Sequence, residues 1–159
     1  MFAVRQLFAA FARRPRRDAF ERGVAALERG ERSQAFIEFE TALAEASDDA
    51  RRAAVHNKRG VAFMALGERD AALAAFASAL DVDERCAAAL TNLGNLLFED
   101  GHVADAVDYY TAALRADAAY ALAHRNLGVA LKRLGRRSEA VRSLRTASRS
   151  ASRRHWERA

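Results

Sequence analysis

The chain has a single cysteine, Cys86, among its 159 residues. It therefore cannot close an intrachain disulfide, and nothing in its cysteine usage points to an oxidising compartment. One proline and eight glycines leave few forced interruptions of regular structure. No apolar run approaches the ~20 residues needed to span a bilayer, and no alternating apolar/polar run reads as a strand. The opening MFAVRQLFAAFARRPRR does not follow the secretory pattern, because its charges mostly trail the apolar stretch and no small-residue cleavage site closes it. The expected compartment is the cytoplasm. No Gly-rich phosphate loop, Ser/His/Asp set or Cys/His/carboxylate cluster stands out, so a catalytic, metal or cofactor site is not expected.

What the chain does have is alanine and leucine, the residues of highest helix propensity. The expectation is an all-α protein. Charge is unevenly spread along it. Residues 1–17 carry five Arg and no acid, residues 132–159 carry a net +8, and residues 18–131 a net −8, giving +5 for the whole chain. The body is acidic and both ends are basic.

Gly23, Gly60, Gly94 and Gly128 recur at intervals of 37, 34 and 34 residues. Seven residues after each comes a second glycine: Gly30, Gly67, Gly101 and Gly135. Twelve after each is an alanine (Ala35, Ala72, Ala106, Ala140), and nineteen after is another (Ala42, Ala79, Ala113, Ala147). Sixteen after comes a bulky residue: Phe39, Phe76, Tyr110 and Leu144. With the first glycine as position 8, positions 4, 7, 8 and 11 share one face of a first helix. Positions 20, 24 and 27 form the facing stripe of a second helix. Small residues at 8, 20 and 27 allow close approach, position 24 fills the gap, and the glycine at 15 ends the first helix. A hairpin of this kind cannot bury its stripe alone, so stacked neighbours must supply the core.

This pattern resembles the tetratricopeptide repeat family over about residues 16–152. The resemblance implies four repeats, 16–52, 53–86, 87–120 and 121–152, wound as a right-handed solenoid, with a basic leader at 1–15 and a basic tail at 153–159. Departures are mild. The family's frequent Trp at position 4 is replaced by Ala19, His56, Leu90 and His124, and its Pro near position 32 is absent. Repeat 1 is the weakest, with Arg22 at position 7 and Ala26 at 11. The three extra residues before repeat 2 are expected within SDDARR, 47–52.

In this family, positions 2, 6, 9 and 13 of the first helices line a groove that commonly holds a peptide. Here the resemblance implies a groove set of Asn57, Lys58, Val61, Asn92, Asn95, Arg125, Asn126, Val129 and Arg133. Asn92 and Asn126 both occupy position 6 and are expected to face away from the core. Asn is a poor residue for a helix interior, and its amide can pair with both the N–H and the C=O of a peptide. The bland alternative is that Asn-Leu-Gly is repeat filler without a ligand. A dicarboxylate clamp, used by some members to hold chaperone C-termini, needs further Lys, Asn and Arg at fixed positions. Read from repeat 2, only Asn92 fits it. Read from repeat 3, Asn95 and Asn126 fit but no following repeat is expected, so the clamp is not expected here. The implied partner is thus another protein, through an extended segment that Lys58, Arg125 and Arg133 would bias toward acidic side chains.

His56 and His124 are read as packing residues, and Cys86 as an inert thiol. Val4, Leu7, Phe8 and Phe11 share one face of a helix expected at 2–14. That helix could cap repeat 1, target an organelle or, through Phe2–Arg14, touch an anionic membrane surface. Arg142, Arg145, Arg149 and Arg153 run along the last helix. A solvated face is the bland reading, and an acidic partner, RNA or DNA the sharper one. Separately, Phe2–Phe11 and the exposed last helix could stack copies of the chain as a structural or self-assembly module. Nucleic acid is disfavoured because Trp156 is the only aromatic near the stripe.

Overall fold

The computed structural model describes residues 17–156. Among the described residues there are eight helices and no strand: α1 (Ala19–Glu28), α2 (Arg32–Glu45), α3 (Asp49–Leu66), α4 (Arg69–Val82), α5 (Ala87–Glu99), α6 (Val103–Ala116), α7 (Ala121–Arg133) and α8 (Arg137–Trp156). Consecutive helices pair as hairpins, α1 with α2, α3 with α4, α5 with α6, and α7 with α8. The fold is an all-α helical-repeat solenoid. The chain divides into two compact units, Met1–Glu45 and Ala46–Ala159. The leader expected at 1–15 lies outside the described residues.

The first unit contains α1 and α2. Asp18 caps α1 by accepting the Glu21 backbone N–H at 2.8 Å, which satisfies one of the orphan donors of the first turn. Phe39 is fully buried and lies against Gly23, where an added Cβ would fall 2.6 Å from its ring. Arg22, the residue that breaks the apolar stripe of repeat 1, is accommodated by pairing. Its Nε donates to Glu38 at 2.8 Å and its Nη1 to the Arg17 carbonyl at 2.8 Å.

The second unit stacks the remaining three hairpins. α3 has 18 residues, because four precede the register at which α5 and α7 begin. The extra length of this repeat therefore becomes an added helical turn, started by Asp48, which accepts the Arg51 N–H at 2.7 Å. The core is shared between successive hairpins, as the amphipathic pattern requires. Ala72 and Phe76 of α4 pack with Leu93 and Leu96 of α5, and Tyr110 of α6 with Ala130 and Leu131 of α7. Burial of a side chain such as Phe76 contributes about 1.5–3 kcal/mol.

Four helix ends share one device. At Gly67 (φ +76°), the Gly67 N–H donates to the Met64 carbonyl and the Glu68 N–H to the Phe63 carbonyl, closing a Schellman turn in the left-handed region that favours glycine. The same bonds recur at Gly30, Gly101 and Gly135. They bring each second helix back antiparallel to its first. Leu144 alone of the position-24 residues is well exposed, at 39%. Its counterparts in α4 and α6 are covered by the next first helix, and none follows α8 among the described residues.

Candidate functional site

The first helices α3, α5 and α7 of the second unit touch along one side, and the asparagines lie on that seam. Asn92 of α5 donates from Nδ2 to Oδ1 of Asn57 in α3 at 2.8 Å. Asn126 of α7 donates from Nδ2 to Oδ1 of Asn95 in α5 at 2.7 Å. Asn95 Oδ1 also accepts the Tyr110 hydroxyl at 2.9 Å. The outward-facing, free amides expected from helical rotation are instead half-buried rungs between neighbouring repeats. The reason is the stacking of the repeats. It brings position 6 of one first helix beside position 5 or 9 of the preceding one, and an amide there finds an amide.

The two rungs differ. Asn57 is buried, at 6% exposure, with its oxygen occupied by Asn92. The rung at Asn95 and Asn126 opens on a cavity of about 410 Å³ lined also by Phe98, Glu99, Tyr110, Leu122, Arg125 and Val129. One wall is apolar, with Leu122 and Val129 exposed at 42% and 46%. Arg133, outside the lining, places its guanidinium 5.1 Å from the Phe98 ring centroid, a cation–π contact. Glu99 is paired with Arg69 at 2.9 Å, so its charge is largely answered. Among the described residues, Arg125 and Arg133 have no ion-pair partner. The cavity thus combines amides, an apolar wall and unpaired positive charge.

Of the expected groove residues, Asn95, Arg125, Asn126 and Val129 line this cavity, and Arg133 lies beside Phe98. Lys58 and Val61 are half-buried, and Val61 packs against the core cluster around Phe76. Asn57 and Asn92 answer each other on the neighbouring rung. Leu122, at groove position 2 of repeat 4, also lines the cavity, and the lining residues that the sequence did not place on the groove face are Phe98 and Tyr110. Phe98 sits at position 12 of repeat 3, beside but not among the groove positions. Tyr110 was assigned to the core, and its ring is there, 2% exposed. Only its hydroxyl reaches the amides. Burial, with a smaller effect of the Glu99 charge, pushes its ionisation up to about 12, so the hydroxyl stays protonated at neutral pH.

Other candidates are placed as follows. His56 and His124 are half-buried, and His124 Nε2 lies 3.0 Å from the Ala118 carbonyl oxygen. Burial pushes the Cys86 thiol up, outweighing backbone N–H groups at the start of α5, which disfavours thiolate chemistry. Arg142, Arg145 and Arg149 are exposed on α8. Among the described residues no group of His, Cys, Asp and Glu could hold a metal, and no helix is long and apolar enough to cross a membrane.

Comparison with known proteins supports the architecture. A family model described as tetratricopeptide repeat matches residues 57–121. No curated protein matches the sequence significantly. Among solved structures, MamA is 20% identical, with 86% of this chain aligned to 78% of it and a TM-score of 0.65. The pilF protein of Pseudomonas aeruginosa is 24% identical with a TM-score of 0.69, over 83% of this chain and 59% of that structure. This chain therefore spans little more than half of that protein's length. The second TPR of Spaghetti (RPAP3), solved with the HSP90 peptide SRMEEVD, is 23% identical over 60% of this chain and 88% of its own, with a TM-score of 0.55. The glycine and alanine positions recur through α7 and α8, beyond residue 121, as Gly128, Gly135, Ala140 and Ala147, with Leu144 in place of the aromatic residue. The chain thus has the fold of a tetratricopeptide-repeat solenoid, with the family match itself confined to residues 57–121.

Proposed function

We propose that this chain is a non-catalytic adaptor that holds an extended segment of another protein along the first-helix face of its second unit, acting in the cytoplasm. The observation that carries the reading is the cavity at Asn95, Asn126, Arg125, Phe98, Leu122 and Val129. An extended peptide offers three things in alternation: backbone N–H and C=O, an apolar side chain, and a polar one. The amide rung, the apolar wall and the unpaired guanidinium groups of Arg125 and Arg133 answer each in turn. The preferred segment has an apolar residue close to a carboxylate. The fold shared with the RPAP3 domain, which carries a peptide in its solved structure, supports a peptide as the ligand class. The mode differs from a dicarboxylate clamp, for which the required Lys and Arg positions are not filled.

The test is affinity capture of partners, with nuclease in every sample, by three folded proteins compared side by side. These are the wild type, Asn92→Ala/Asn126→Ala, and Arg142→Glu/Arg145→Glu/Arg149→Glu. The groove reading expects the double Asn variant to lose partners that the α8 variant keeps. If the double Asn variant retains every partner, the groove is not the binding surface. If the α8 variant alone loses them, the basic end of the chain is.

A further inference from the structure

We infer that Tyr110 is a positioning residue for peptide recognition: its hydroxyl fixes the Asn95 amide so that the rung presents a defined donor and acceptor to one peptide unit. The inference rests on the peptide reading above.

Its first support is a comparison within the chain. Position 9 of the four repeats is Val24, Val61, Asn95 and Val129, and position 24 is Phe39, Phe76, Tyr110 and Leu144. Three repeats pair valine with an apolar residue. The one repeat with a polar residue at position 9 is the one with a hydroxyl at position 24, and those two groups are bonded at 2.9 Å. Packing did not require either change, since Phe76 fills the equivalent site against Gly60 without a hydroxyl.

The second support is a count of hydrogen-bonding capacity. Asn95 Oδ1 accepts from both Tyr110 and Asn126, which uses both of its lone pairs. The capacity left on Asn95 is its Nδ2 donors, and on Asn126 it is the Oδ1 acceptor with one remaining N–H. Both residues line the cavity. A donor on one side and an acceptor on the other match the C=O and N–H of an extended strand in one direction. Without the Tyr110 bond, Asn95 is held by Asn126 alone and is free to turn its amide.

The probe is a random heptapeptide library displayed on phage, selected on the wild-type chain. The best sequence is then synthesised and its Kd measured by calorimetry. Tyr110→Phe is expected to fold, because Phe39 and Phe76 occupy the same position, and to weaken the peptide by about three- to tenfold, the equivalent of one hydrogen bond. In an Asn95→Val background, which recreates the Val61–Phe76 pairing of repeat 2, Tyr110→Phe should have no further effect on Kd. A purely structural role for Tyr110 predicts the same loss in both backgrounds and overturns the inference. Equal affinities of wild type and Tyr110→Phe for the selected peptide also overturn it, while leaving the peptide reading intact. If selection enriches no sequence, the peptide reading fails and this inference with it. A ligand-free measurement runs alongside. The side-chain amide resonances of Asn95 should be dispersed in the wild type and move toward free-amide positions in Tyr110→Phe, and their staying fixed overturns the inference.

Discussion

At the scale of single residues, each hairpin sets a glycine against a bulky side chain, leaving no room for a Cβ. A Cβ at Gly94 would lie 2.6 Å from the Tyr110 ring, a ring that cannot swing away because it is buried. Gly94→Ala is expected to lower stability by about 1–3 kcal/mol, overpacking outweighing the ~1 kcal/mol gain in helix propensity. At Gly128 the nearest group is the Leu144 side chain, at 2.7 Å, which is partly exposed and can rotate. Gly128→Ala should therefore cost less than Gly94→Ala, an ordering that denaturant unfolding will check. Tyr110 adds a pH signature. Its folded value is raised from 10 to about 12, first by burial and then by Glu99. The neutral phenol is thus favoured in the folded state, so its contribution is complete below pH 10 and is lost as pH rises toward 12. The wild type should lose stability across that alkaline window more steeply than Tyr110→Phe, measured by unfolding at a series of pH values.

At the scale of elements, helix starts and stops set the register on which the site depends. The added turn of α3 is held at its start by Asp48, whose carboxylate is pushed below its ordinary value of 3.8 by the Arg51 N–H and then by the Ser47 hydroxyl. A lowered carboxyl contributes stability that is full above 3.8 and drains away as pH falls through the lower folded value. Asp48→Ala should lower the thermal midpoint at neutral pH and narrow its difference from wild type in strong acid, as read by circular dichroism. The turn at Gly67 matters for a different reason. It closes the α3–α4 hairpin with φ at +76°, where a Cβ costs roughly 1–2 kcal/mol. The glycine turns were legible in the sequence, because glycine spacing reports directly on backbone conformation. The sequence only located three extra residues near 47–52, and not the helical turn that Asp48 starts there. The amide rungs were not legible either. Rotation around one helix says which way Asn126 points, but not that Asn95 of the preceding helix waits there at 2.7 Å.

At the scale of the whole molecule, the compact unit Ala46–Ala159 contains three hairpins, its own shared core and every residue of the cavity. Repeat proteins draw stability from nearest neighbours, so a three-hairpin stack is near the minimum that folds by itself. The fragment 46–159 is expected to be helical, to unfold cooperatively and to bind the same peptides as the full chain. Circular dichroism with calorimetry checks this, and a fragment that is folded but does not bind would move the site out of this unit. Charge sets a second expectation at this scale. The basic 132–159 segment, net +8, should support only salt-sensitive contacts with polyanions, whereas the cavity uses few charges and should be less affected by salt.

The sequence by itself determined the repeat pattern, the helical hairpins, the glycine turns and the inward stripes. Each of these follows from local propensity and from a period repeated four times. Of the nine first-helix residues the resemblance implied for a groove, four line the cavity. Only the tertiary structure decided which amides are taken and which remain available. That depends on distances between helices about thirty residues apart in the chain, and no single-helix periodicity contains them. The same contact makes Tyr110 both a core residue and part of the cavity wall, since its ring is buried by the stripe while its hydroxyl bonds Asn95.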